Sequence, residues 1–200
     1  TLRRSSAASD VYKRQMLDDG LNLTTIELDE GEKIPNDLNK FDGMFCMGGP
    51  MDTYMEKEYP WLVEEKKRIK EFVINLKKPY LGFCLGCQLL GEVVGGKVVK
   101  SNPAEIGIMD INFTDNKKED SLFSKFPDNI KSLQWHSYEV QGIDKDPDIT
   151  LLASSPVTKY QIFKYQHHAY GIQFHIEIKD TTVNEWGLSL IHISEPTRPN

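Results

Sequence analysis

Hydrophobic positions along the chain follow two periods. From Pro60 to Leu76, the apolar residues Leu62, Ile69, Phe72, Val73 and Leu76 share one helical face, with Glu and Lys filling the other. Pro60 suits the opening turn of that helix, where its missing N–H costs nothing, and Pro79 ends it. Short apolar runs flank it: 42–47 (DGMFCM), halted by Gly48-Gly49-Pro50, and Tyr80 to Phe83. Both read as buried strands. A second helix is expected from about Gly86 to Val94, closed by Gly95-Gly96. Strand, helix, strand, helix at this spacing predicts an α/β domain with a mostly parallel sheet and right-handed crossovers.

Beyond Lys97 the pattern shortens to alternating polarity at 97–101, 107–114, 131–140, 149–153, 160–164 and 169–174. These are expected to add antiparallel or mixed strands to one edge of the sheet. A further short strand is expected from Leu21 to Leu28, followed by a polar loop through Asn39.

The ends differ from the middle. Residues 1–15 and 188–200 show no apolar periodicity and resemble translated adapter sequence, the ordinary alternative being disordered tails. The native domain is therefore expected over 16–187. The first segment carries a net charge of +3 and the last none, so the formal -6 of the whole becomes -9 for the domain. An acidic domain lacks the basic face that a nucleic-acid or membrane-surface binder needs. No apolar run reaches the ~20 residues of a membrane span. With 39% hydrophobic and 27% charged residues the composition is that of a globular protein. Three cysteines argue against a disulfide framework and fit a reducing, cytoplasmic setting.

Candidate chemistry centres on Gly82-Phe83-Cys84-Leu85-Gly86, placed between a predicted strand and a predicted helix. This is the context of a nucleophile elbow, with cysteine in place of serine. The following helix presents its N-terminal amides and partial positive charge to the sulfur, which favours the reactive thiolate. Gln88, one helical turn on, faces the same way and is able to reach a bound polar substrate; a solvated helix glutamine is the plainer reading. Cys84-x-x-Cys87 spacing also fits a thiol–disulfide pair, although such a pair needs neither a distant histidine nor a glycine loop. Cys46, within an apolar strand, reads as core.

A thiol nucleophile is helped by a general base. His175 ends an apolar strand, and Glu177 follows at the i+2 position that faces the same way in extended chain, suited to orient the ring. His136, in Gln134-Trp135-His136-Ser137, is the second candidate base; with no carboxylate at matching spacing on its strand, it is expected instead to line the pocket. His167 and His168 fall in a polar turn, where exposure is expected. Negative charge developing on an attacked amide oxygen calls for donors. The Leu85 amide is one candidate, and the Gly48-Gly49-Pro50 loop offers a second through close backbone approach.

Taken together and in this order, GGP, GFCLGCQLL, QWH and FHIE resemble the class I glutamine amidotransferases, in the branch similar to the glutaminase domain of GMP synthase. The likeness covers about Leu21 to Trp186. It implies a flavodoxin-like three-layer fold and a catalytic Cys84–His175–Glu177 triad. It also implies an oxyanion site at Gly49 and Leu85, and glutamine held by Gln88 and the His136–Ser137 region. No cofactor or metal is implied. Glutamine is the expected substrate, with ammonia passing to a synthetase partner or domain. A γ-glutamyl hydrolase would use the same triad, and a non-catalytic domain would keep only the fold. The sequence departs from the family pattern at Ile176, which stands where His-Pro-Glu has proline, and at Cys87, where a small residue is usual. Measured against the family pattern, the opening strand, most of the first helix and part of the C-terminal region are expected to be lacking. Unpaired strand edges are costly, so poor stability, with melting below about 50 °C, is expected.

Overall fold

Three neighbouring strands run parallel: β1 (Met44–Cys46), β2 (Tyr80–Phe83) and β7 (Ala169–Ile172). In this computed structural model, which describes residues 13–176, they belong to a seven-stranded mixed sheet of order β1-β2-β7-β6-β5-β3-β4. The remaining strands are β3 (Lys97–Phe113), β4 (Asn129–Gln141), β5 (Ile149–Ser154) and β6 (Ile162–Tyr165), joined by antiparallel pairing. Two units divide the chain. One holds the residues up to Thr24 and from Ile176 onward, and its described part includes a short helical stretch over 13–18. The other, Thr25–His175, contains the whole sheet.

Helix α1 (Trp61–Lys70) continues into a π-helical turn (Glu71–Asn75), and α2 (Leu85–Val93) follows β2 after a turn at Cys84. The expected apolar face of α1 is the one that packs: Leu62, Ile69, Phe72 and Val73 are all fully buried. Burying side chains of this size is worth about 1.5–3 kcal/mol each. Strand alternation divides the core into two clusters. Tyr80, Ala169 and Phe163 join the residues of α1 and α2, whereas Phe83, Tyr170, Ile172 and Ile162 pack with Ile111, Phe123 and Leu152.

Three expectations are corrected. The sheet is mixed rather than mostly parallel: among the described residues two of its strand pairings are parallel and four antiparallel, because the strands beyond Lys97 pair antiparallel and outnumber the α/β crossover strands. The strand expected at Leu21–Leu28 does not form: residues 21–27 are irregular, and Leu28–Glu30 is a 3-10 turn. A strand exists only by pairing, and among the described residues β1 pairs with β2 alone. The strands expected at 97–101 and 107–114 are one strand, β3, whose register against β4 shifts between Lys100 and Glu105. Pro103, which has no N–H to give to the ladder, falls within this irregularity, and the strand resumes its pairing beyond it.

Candidate active site

Cys84 is the residue on which the chain reverses from β2 into α2. Its backbone sits at φ 49°, ψ -101°, a left-handed conformation rare for a side-chain-bearing residue. The turn is held by the Cys84 amide, which donates to the Ile172 carbonyl at 2.8 Å, and by the Gln88 amide, which donates to the Cys84 carbonyl at 3.1 Å. Its two flanking glycines permit close approach. A Cβ on Gly82 would lie 2.4 Å from the Gly86 carbonyl oxygen, and one on Gly86 would lie 2.3 Å from the Cys46 carbonyl oxygen. Beneath the turn, the Tyr80 hydroxyl donates to the Gly86 carbonyl at 2.8 Å. Cys84 caps α2 without a side-chain capping bond, so the thiol is not spent on the helix end.

His175 comes to the same place. It follows β7, and its backbone is pinned to β4: its amide donates to the Leu133 carbonyl at 2.9 Å, and its carbonyl accepts from the Ser132 hydroxyl at 3.0 Å. Both side chains are largely buried, Cys84 at 8% exposed and His175 at 5%. A methyl built on Gly48 would lie 4.0 Å from Cys84 Sγ and 3.4 Å from His175 Cε1. Sulfur and ring carbon are therefore no farther apart than the sum of those two distances. Gly48, named in the sequence only as part of its loop, is thus the residue facing thiol and imidazole together. Gly49 packs alongside: its Cβ would lie 3.1 Å from Leu85 Cδ2 and 2.4 Å from Met51 Sδ. Glu177 lies outside the described residues.

Gln88 is not a solvated helix residue. It is 4% exposed. Its side-chain amide donates to the Tyr138 carbonyl at 3.1 Å and to Gln173 Oε1 at 3.2 Å, which leaves Gln88 Oε1 as the group available to a ligand. Ser137 is exposed and has no register partner on β3. Lys100 pairs with Tyr138 and Glu105 with His136, so residues 101–104 bulge out opposite it. Bulges of this kind recur beside binding sites, because they release main-chain groups from the ladder.

His136 does have a carboxylate, supplied by the neighbouring strand. Glu105 lies directly across from it, with Oε2 3.3 Å from His136 Nε2. Burial pushes the Glu105 carboxyl up, but hydrogen bonds from His136 and Ser155 and the charge of His136 outweigh it and hold the group below its usual range. Nothing within either strand announces this pair. Only the β3–β4 register does.

The other thiols are inert by environment. Burial pushes the Cys87 thiol well up, with the Cys84 charge adding to it, and Cys87 is a fully buried core residue rather than an accessible redox partner. Burial likewise raises the Cys46 thiol, beside Glu65, whose own carboxyl burial raises to about 7. His168, expected in an exposed turn, is instead buried, with Nε2 3.0 Å from the Val73 carbonyl; His167 is exposed. Among the described residues, no cluster of three His, Cys, Asp or Glu side chains is placed to hold a metal.

A thiol on a strand-to-helix turn at positive φ, with an imidazole near the same glycine, is an arrangement whose chemistry suits nucleophilic attack on a carbonyl. The chain belongs to the class I glutamine amidotransferase family, whose sequence model matches residues 6–188. It is 31% identical over 151 residues to one subunit of a glutamine-hydrolysing GMP synthase from Sulfolobus acidocaldarius, covering 75% of this chain and 74% of that one. It is also 31% identical over 169 residues to a glutamine-hydrolysing GMP synthase of Staphylococcus aureus, covering 83% of this chain and 30% of that one. The structure superimposes on a glutamine amidotransferase from Thermotoga maritima with a TM-score of 0.78 and 27% identity, over 91% of this chain and 76% of that one.

Proposed function

We propose that this chain hydrolyses the side-chain amide of glutamine through a cysteinyl thioester and delivers the ammonia to an acceptor. The observation that carries the reading is the shared position of Cys84 Sγ and His175 Cε1 against Gly48. Cys84 attacks the amide carbon as its proton passes to His175. Charge developing on the carbonyl oxygen is met by the Leu85 and Gly49 amides. Collapse expels ammonia, which takes the proton from His175. Water, deprotonated by the same ring, then resolves the thioester to glutamate and restores the thiol. Glu177 orients His175 and stabilises its charged form. Gln88 Oε1 and the Ser137 main chain hold the amino-acid end of the substrate. Removing one oxyanion donor typically costs about 100- to 1000-fold in rate.

The same reading assigns the domain to 16–187, within a flavodoxin-like three-layer architecture, and places it in the cytoplasm. The likeness to a single subunit of one GMP synthase and to part of a longer one supports an ammonia acceptor on a partner chain or further domain. The test is turnover by the purified chain. Glutamine should yield glutamate and ammonia in equal amounts, with kcat/KM about 100-fold above that for γ-glutamyl amides with bulkier leaving groups, a ratio within what pocket fit supplies. A preference for γ-glutamyl peptides would instead assign the site to a γ-glutamyl hydrolase.

A further inference from the structure

The hydrogen bonds around His136 fix its protonation state. A carboxylate only accepts, so the Gln161 side chain must turn its amide nitrogen to Glu105 Oε2, at 2.7 Å. Gln161 Oε1 therefore faces Gln134, accepting from Gln134 Nε2 at 2.9 Å. That in turn places Gln134 Oε1 against His136 Nε2, at 2.9 Å. The other ring nitrogen, Nδ1, lies 2.9 Å from the Tyr138 main-chain carbonyl, which also only accepts. Both ring nitrogens face acceptors, and only the doubly protonated ring satisfies both.

A buried imidazolium needs a compensating charge. Glu105 supplies it: the two side chains are 2% and 1% exposed and 3.3 Å apart. Ser155 fixes the second carboxylate oxygen, its hydroxyl donating to Oε1 at 2.6 Å. Among the described residues no other carboxylate comes within ion-pair distance of the ring. Glu139, on the same strand, is turned to the opposite face by alternation and accepts from Gln141. Tyr138 offers the ring its carbonyl, while its hydroxyl is engaged with that of Tyr54.

The Tyr138 carbonyl joins this pair to the site, since it accepts from His136 on one side and from Gln88 on the other. We infer that His136 is held as an imidazolium by Glu105, and that Glu105 is a positioning residue for the glutamine-binding wall formed by Gln88 and the Ser137–Tyr138 main chain. The second half rests on the proposed function; the first does not. Without the carboxylate the buried ring loses its charge partner, and the two bonds that hold it are no longer both supported. The Tyr138 carbonyl, and Gln88 with it, then loses its fixed place.

Two measurements test this. The 15N spectrum of histidine-labelled protein at neutral pH, with His136 assigned by its loss in His136→Gln, should show both ring nitrogens protonated. One protonated and one bare nitrogen would overturn the charge assignment without touching the proposed function. In steady-state assays, Glu105→Gln should raise the KM for glutamine about tenfold, the worth of a lost hydrogen bond to a charged group, with kcat within about twofold. Glu105→Asp, which keeps the charge, should recover part of the KM. An unchanged KM in Glu105→Gln would overturn the positioning role. Absence of turnover in the parent chain, with the doubly protonated ring present, would overturn the proposed function and with it the positioning role, leaving the charge assignment intact.

Discussion

Replacing Cys84 with alanine is expected to lower glutamine turnover by about 10^4-fold or more, the scale on which loss of a covalent nucleophile acts, while moving the melting temperature by only a few degrees. The two halves of the expectation have separate causes. The proposed reaction cannot form its thioester without sulfur, and the other two cysteines are poor substitutes. Cys87 is fully buried with its thiol pushed well up, and Cys46 is raised by the same burial. Stability should change little because alanine keeps the Cβ, and with it the strain of a side chain at φ 49°. Steady-state ammonia release and a thermal melt on the same preparation check both. Activity within tenfold of the parent would place the nucleophile elsewhere.

The second large effect is expected from Gly86→Ala. Its new Cβ would lie 2.3 Å from the Cys46 carbonyl oxygen and 2.8 Å from the Cys46 carbonyl carbon. Both atoms are backbone, so relief requires α2 to move off β1, and the elbow moves with it. Loss of about 3 kcal/mol or more is expected, the range of severe core disruptions, lowering the melting temperature by roughly 6–12 °C for a chain of this size. Gly49→Ala is the contrast. Its nearest obstacle, Met51 Sδ at 2.4 Å, ends a flexible side chain that can swing aside. Its stability cost should be well below that of Gly86→Ala, and calorimetry on the pair decides. Equal melting temperatures for the two variants would contradict the close-packed elbow.

Much of the site was legible because it is written locally. The strand ending at Phe83 and the helix from Leu85 to Val93 follow from an apolar run, a pair of glycines and a helical period, all within fifteen residues. The expected β-strands from 131 onward are found with shifted ends, for the same reason. What stayed hidden depends on pairing. Leu21–Leu28 has a strand's composition but no ladder partner among the described residues, where it forms no strand. The Glu105–His136 pair joins residues thirty-one positions apart, and only the register across the β3 irregularity brings them together. His168 reads as a turn residue but is buried, its ring reaching the Val73 carbonyl within α1's π-helical continuation. Sequence patterns report which face a residue takes. They do not report who stands opposite.

Incubating the chain with 6-diazo-5-oxo-L-norleucine, a glutamine analogue that alkylates an activated nucleophile, and mapping the adduct by peptide mass spectrometry, probes the thiol–imidazole site directly. A single adduct at Cys84, suppressed by excess glutamine, is the result predicted, with Cys46 and Cys87 unmodified. No adduct at Cys84, or one that glutamine does not suppress, would contradict a glutamine site built on that turn.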